Sequence, residues 1–230
     1  MVQTLCAEEG LDINARGGQL KETPLHWATM YKHHAIVEYL LSQPDIEVNA
    51  VTPQGGYTPL YWAVRNKDLQ SVKALCSHQK IEPNQRFGQL EETPLHLAVR
   101  SNCLETVKIL CSTPGIDVNA EDSTVLCLGK TPLRLATDLD NYDIMCFLCR
   151  LPGIRLDIED PEGRKAMVLR RAVEKNDVET VKYLCSEKLK DMDITSVKRM
   201  EAGALESLID LANRECDPEI RDILSAIEIP

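Results

Sequence analysis

Thr23–Ala28 reads TPLHWA, Thr58–Ala63 reads TPLYWA, Thr93–Ala98 reads TPLHLA and Thr131–Ala136 reads TPLRLA. The alanines closing these hexads are spaced 35, 35 and 38 residues apart. Two weaker copies follow: VLRRAV with Ala172, 36 residues on, and LIDLA with Ala212, another 40 on. Behind each copy runs a second apolar stretch: IVEYLL (36–41), SVKALC (71–76), TVKILC (106–111), IMCFLC (144–149), TVKYLC (180–185) and IRDIL (220–224). MVQTLC (1–6) matches this second stretch, so the array is expected to start halfway through a repeat. A period of this size is the signature of a stacked repeat architecture.

Each repeat spells two short helices. Thr is a good N-cap, and Pro is accepted at the first helical position, where its missing N–H would have no partner anyway. Leu-x-x-Ala then lays a narrow apolar stripe. The first helix is expected to stop at Lys32, Lys67, Asn102, Asp140, Asn176 and Cys216. Asn and Asp are the side chains that best tolerate the left-handed geometry of a tight helix–helix turn. Val-x-x-Leu-Leu/Cys carries the second helix. The segments DINA, EVNA, EPNQ, DVNA and DIED, each followed by a Gly-containing stretch, read as β-hairpin fingers leading to the next Thr-Pro. Such short helices do not persist alone in water, so each repeat can bury its apolar side only against the next. The expected fold is an all-α repeat solenoid of helix pairs joined by β-hairpin fingers. Residues 1–186 hold the half repeat and about five more. Residues 187–230 read as a degenerate last repeat, a C-terminal helical cap whose apolar face is Leu205, Leu208, Ile209 and Ala212.

These hexads and their spacing resemble the ankyrin repeat family, whose repeat of about 33 residues carries a TPLHxA signature. The likeness is specific over Thr23–Asn119 and weaker after Ala136. It implies L-shaped repeats with fingers at right angles to the helix pairs. It also implies a concave surface of fingers and first helices that binds proteins. This chain has longer finger regions than the family pattern, and Glu121–Gly129 is longer again.

The composition narrows the function classes. Aromatic residues are 4% of the chain against 43% hydrophobic overall, so the core must be aliphatic. The net charge is −10, with 10 basic and 12 acidic residues in 1–115 and 16 and 24 in 116–230. An acidic chain is a poor ligand for nucleic acid or an anionic membrane. No apolar run reaches the roughly 20 residues that span a bilayer. MVQTLCAEEGLD lacks the layout of a signal peptide. Nine cysteines without such a signal suggest reduced thiols in the cytoplasm or nucleus.

The residues that look chemical have plainer readings. Cys6, Cys76, Cys111, Cys149 and Cys185 share one register position with Leu41, which makes it a packing position. Cys146-Phe-Leu-Cys149 is a CxxC by spelling, but it has no partner CxxC and falls in a helix. His26 and His96 belong to the hexad, and Tyr61 and Arg134 replace them elsewhere, which no catalytic or metal role would survive. His33-His34 and His78 fall at a turn and after a helix. Gly17-Gly18 and Gly55-Gly56 suit turns. Asn14, Asn49 and Asn119 read as turn residues bonding their own backbone, or as sites for asparagine hydroxylation as in some ankyrin segments. No catalytic residue, metal ligand or cofactor is expected.

The informative positions are those the repeat does not dictate: finger tips, first-helix ends and the residue before Thr-Pro. In the first three repeats these hold Arg16, Leu20, Met30, Tyr31, Gln54, Tyr57, Arg65, Asn66, Arg86, Phe87, Leu90, Arg100 and Ser101; Trp27 and Trp62, inside the hexads, read mainly as packing between repeats with an edge left for binding. Met, aromatic residues and Arg are enriched at interface cores. The expected function is a non-catalytic scaffold or adaptor that binds another protein on this surface. The alternatives are a structural segment supporting a neighbouring domain, and small-molecule or RNA binding through Trp27, Trp62 and the arginines. The charge opposes the last. RGGQLKETPLH and RFGQLEETPLH are near copies, which suggests that alternate repeats present similar fingers.

Overall fold

The computed structural model describes residues 12–123, 129–155, 167–185, 213 and 217–226. Among them are eleven helices and no strand longer than an isolated bridge. The chain divides into two compact units, Met1–Ile144 and Met145–Pro230. Four helices begin at the Thr-Pro steps: α1 (Pro24–Met30), α3 (Pro59–Arg65), α5 (Pro94–Arg100) and α7 (Pro132–Asp138). Their N-caps are Thr23, Thr58, Thr93 and Thr131. The second helices are α2 (His34–Leu41), α4 (Leu69–Cys76), α6 (Leu104–Cys111) and α8 (Tyr142–Cys149). The backbone turns between helices through Lys32, Lys67, Asn102, Asp140 and Asn176, all with φ between 48° and 57°. Five of the six expected turn positions are therefore in place, and Cys216 lies outside the described residues.

In the first compact unit the first helices pack in a row, α1 on α3, α3 on α5 and α5 on α7, while α2, α4 and α6 form a second row behind them. Leu25, Leu60, Leu95 and Leu133 of the hexads are at most 2% exposed, and Val37, Val72 and Val107 of the second helices are wholly buried. Each such side chain contributes about 1.5–3 kcal/mol by leaving water. The shared cysteine position behaves as packing. Cys76 and Cys149 are buried and Cys111 and Cys185 half-buried, while Cys6 lies outside the described residues. Burial pushes the Cys111 and Cys149 thiols up to about 12 and Cys185 to about 11, which keeps them protonated.

Polar side chains tie each repeat to the next in a fixed register. Asn14 donates to the Asp45 carbonyl at 2.8 Å and accepts from the Glu47 N–H at 2.9 Å. Asn49 does the same with Lys80 and Glu82, and Asn84 with Gly115 and Asp117. The expectation that Asn14 and Asn49 serve their own turns is corrected, because their amides clamp the following repeat. Asp68, buried at the start of α4, accepts from Ser71 N–H and Oγ–H at 3.4 and 2.6 Å and faces His34 Nε2 at 2.9 Å. Burial raises its carboxyl, but the bonds from Ser71 and His34 outweigh burial and hold it below the usual carboxylate range. Asp68→Ala is expected to lower unfolding free energy by about 1–2 kcal/mol, the worth of a good N-cap. Urea denaturation at pH 7 would check this, and a loss near zero would contradict the role.

The fingers are closed at the neck by single backbone pairs rather than by ladders. Gly17 and Glu22 exchange two bonds of 2.9 Å, and Phe87 and Glu92 bonds of 2.9 and 3.1 Å. Thr52 and Tyr57 use one backbone bond of 3.0 Å and the Thr52 hydroxyl at 3.1 Å. In the fourth repeat Asp122 N–H donates to Lys130 O at 3.1 Å, and Lys130 N–H to the Asp122 carboxylate at 2.8 Å. The neck thus closes over a gap of 8 residues there, against 5 at Thr52–Tyr57. The two near-copy fingers share one conformation: Gly18 and Gly88 take φ 72° and 69°, Lys21 and Glu91 φ 52° and 48°.

In the second compact unit α9 (Met167–Glu174) packs on α10 (Val178–Tyr183), and α10 on α11 (Pro218–Ser225). Ala172, Val173, Val181, Leu184, Ile220 and Leu224 form its buried surface. Asn176 at the α9–α10 turn accepts from the Asp217 N–H at 2.8 Å, placing the start of α11. Leu205, Leu208, Ile209 and Ala212 of the expected cap lie outside the described residues.

Candidate protein-binding surface

The hexad histidines set the frame. His26 and His96 are wholly buried third residues of α1 and α5, each closing a capping box with Thr23 or Thr93. The Thr23 N–H donates to His26 Nδ1 at 3.1 Å, so Nδ1 is an acceptor. The proton therefore sits on Nε2, which donates to Tyr57 O of the next finger at 3.0 Å. His96 repeats this with Thr93 N–H at 3.3 Å and Lys130 O at 2.8 Å. Burial holds both imidazoles below their ordinary value, partly opposed by the carbonyl bond. These histidines join a first helix to the following finger.

In the third and fourth repeats the residue before Thr-Pro pairs with the residue eight positions on, at the helix end. In the third repeat Glu92 pairs with Arg100. In the fourth the charges are reversed, with Lys130 Nζ 2.8 Å from Asp138. In the second the positions hold Tyr57 and Arg65. The Arg65 guanidinium donates to the Tyr61 hydroxyl at 3.0 Å and lies 5.3 Å from the Trp62 ring centre. Tyr61 stacks on Tyr57 at 4.4 Å and meets Phe87 edge-on at 4.6 Å. In the first repeat the positions hold Glu22 and Met30. Glu22 is 5% exposed, its Oε1 has no hydrogen-bond partner, and burial pushes its carboxyl up.

The expected contact residues separate into two kinds. Several are occupied within the fold. Phe87 is buried in the aromatic cluster, which corrects the expectation that its ring is presented at a finger tip. Arg16 donates to Val51 O at 2.7 Å, and Arg86 to Glu121 O at 2.7 Å, each linking its finger to the next. Asn66 donates to Met30 O at 2.9 Å, and Arg100 is held by Glu92. Tyr57, Trp62, Leu20, Met30 and Ser101 are half-buried. Others stay exposed: Trp27, Tyr31 and Leu90 are 40%, 56% and 43% exposed, Gln54 is exposed, and Arg65 is exposed while its guanidinium is held by Tyr61 and Trp62. Trp27 and Tyr31 stack at 5.5 Å and 16°, making one aromatic plate at the end of α1.

Two residues outside the expected set bear on this surface. Tyr61 organises the second-repeat cluster from a position read as hexad packing. Leu139, just past α7, is 42% exposed at the register position of Tyr31, Asn66 and Ser101. Its signal was the register itself.

Among the described residues no helix is long and apolar enough to cross a membrane. A family profile of ankyrin repeats in three copies matches the chain over residues 1–87, 49–122 and 85–160. No curated protein matches.

Proposed function

Because the chain belongs to the ankyrin repeat family, whose repeats mediate protein–protein interaction, we propose that it is a non-catalytic adaptor or scaffold of the cytoplasm or nucleus. It binds one partner protein along the fingers and first helices of its first three repeats, and it engages neither nucleic acid nor membrane. The supporting observation is the Trp27–Tyr31 plate, with Arg65 and Leu90 further along the same repeats. These are large side chains of interface type left exposed on the frame. Leu135, at the position of Trp27, is 2% exposed. Aromatic anchors of this kind carry most of an interface's energy.

Capture of the native partner from cell extract by the wild-type chain, compared with a Tyr31→Ala, Arg65→Ala, Leu90→Ala variant, tests the reading. The variant is expected to fold, with unchanged circular dichroism, and to lose at least about tenfold in affinity. Equal capture would move the site off this face. Arg100 is left intact because removing it strands Glu92.

A further inference from the structure

The second and third repeats each show how this frame holds an arginine at the end of a first helix. In the third repeat the receptor is Glu92, the residue before Thr-Pro. In the second it is the Tyr61 hydroxyl together with the ring of Trp62, the fourth residue of α3, over which the Arg65 guanidinium lies. The first repeat carries Glu22 at the position of Glu92 and Trp27 at the position of Trp62, with the buried His26 where the second has Tyr61. Where the other two have Arg65 and Arg100, it has Met30.

Among the described residues the space above these groups is open. A pocket of about 470 Å³ is lined by Glu22, Trp27, Ala28, Tyr31, His33 and Ile36, among others. Its walls are mostly apolar, and the Glu22 Oε1 that faces no donor is buried at its side. A buried carboxylate oxygen without a donor costs free energy that a bound cation recovers. The Trp27–Tyr31 plate beside it offers the π face that a guanidinium prefers. Residues 1–11 hold Glu8 and Glu9 and neither Lys nor Arg.

We propose that this pocket receives an arginine side chain of the partner protein, its guanidinium paired with Glu22 and laid along the Trp27–Tyr31 plate. The assignment rests on the proposed protein-binding face and specifies the chemistry of its first anchor.

The test is a ¹⁵N NMR titration of the full chain, following the Trp27 indole N–H with the Trp62 indole as internal reference. The probes are acetyl-Gly-Arg-Gly-amide and its citrulline analogue, which keeps the shape and loses the charge. Arginine is expected to shift Trp27 saturably, with citrulline about tenfold weaker or more. Glu22→Gln is expected to bring arginine down to the citrulline level. Met30→Arg, which supplies the cation from within, is expected to raise the melting temperature and abolish the shift. No shift with the arginine peptide, equal shifts with both, or an unchanged response in Glu22→Gln overturns the assignment. So does a Trp27 shift that follows protein concentration together with dimerisation, since the occupant is then a second copy. Native-partner capture separates the two readings. Capture lost in the Tyr31/Arg65/Leu90 variant but kept in Glu22→Gln removes only the arginine assignment, and capture kept in both removes the surface as well.

Discussion

Leu95→Ala is expected to remove about 2–5 kcal/mol of unfolding free energy. Leu95 is wholly buried in α5, which packs on α3, α6 and α7. The hole it leaves is bounded by helices of seven and eight residues. The His96 and Asn84 bonds hold the neighbouring fingers in register and resist collapse. A repeat array is stabilised by intrinsic repeat terms plus nearest-neighbour interfaces. The substitution weakens both, and it does so in a middle repeat. Leu90→Ala, on the exposed finger tip, is expected to change stability by less than about 0.5 kcal/mol. Urea denaturation of the two variants beside the wild type checks the contrast. A Leu95→Ala loss below about 1 kcal/mol would mean that stacking of hexad leucines does not hold the array together.

Mild acid is expected to unfold the chain through His26 and His96. Both are buried as the neutral Nε2–H tautomer. A proton added at Nδ1 would point at the backbone N–H of Thr23 or Thr93, donor against donor. Their folded pKa values lie below the ordinary 6.5, chiefly through burial. The unfolded chain therefore takes up protons as pH falls through about 6.5 while the folded chain does not. Stability contributed by each histidine is complete above that pH and is lost below it. The loss is up to about 1.4 kcal/mol per pH unit per residue until the folded pKa is reached. Asp68 adds no slope here, since its depressed carboxyl loses its contribution only in much stronger acid. Urea midpoints at pH 7.5, 6.5 and 5.5 should fall in step. A His26→Gln, His96→Gln variant should start lower at pH 7.5 and lose most of that slope. An undiminished slope in the double variant would place the acid sensitivity elsewhere.

The helix pairs were legible because the residues that start and stop them act locally. Thr caps, Pro begins, and the turn four residues past the alanine takes a positive φ whether its occupant is Asn102 or Lys67. The hexad leucines were legible because burial demands the same residue at each repeat. The surface was less so. Whether an arginine reaches outward depends on a carbonyl some 35 residues away, as with Arg16 and Val51, and on a residue eight positions earlier, as with Arg100 and Glu92. Neither dependence leaves a periodic trace. Phe87 reads as a finger residue, and only its approach to Tyr61 makes it core. The role of Glu22 emerged by comparing aligned positions across repeats, which identified what the first repeat lacks.

The closed finger necks carry a consequence for how such a chain diversifies. Asp122 and Lys130 hold the two ends of the intervening segment together. Extra residues there leave the spacing of the helices on either side untouched. Loop closure grows only slowly more expensive with length. Foreign sequence, such as an epitope tag or a library of randomised codons, can therefore be grafted between those two positions while the scaffold keeps its shape. New specificity can be acquired by lengthening a tip, without redesigning the rows of helices beneath it.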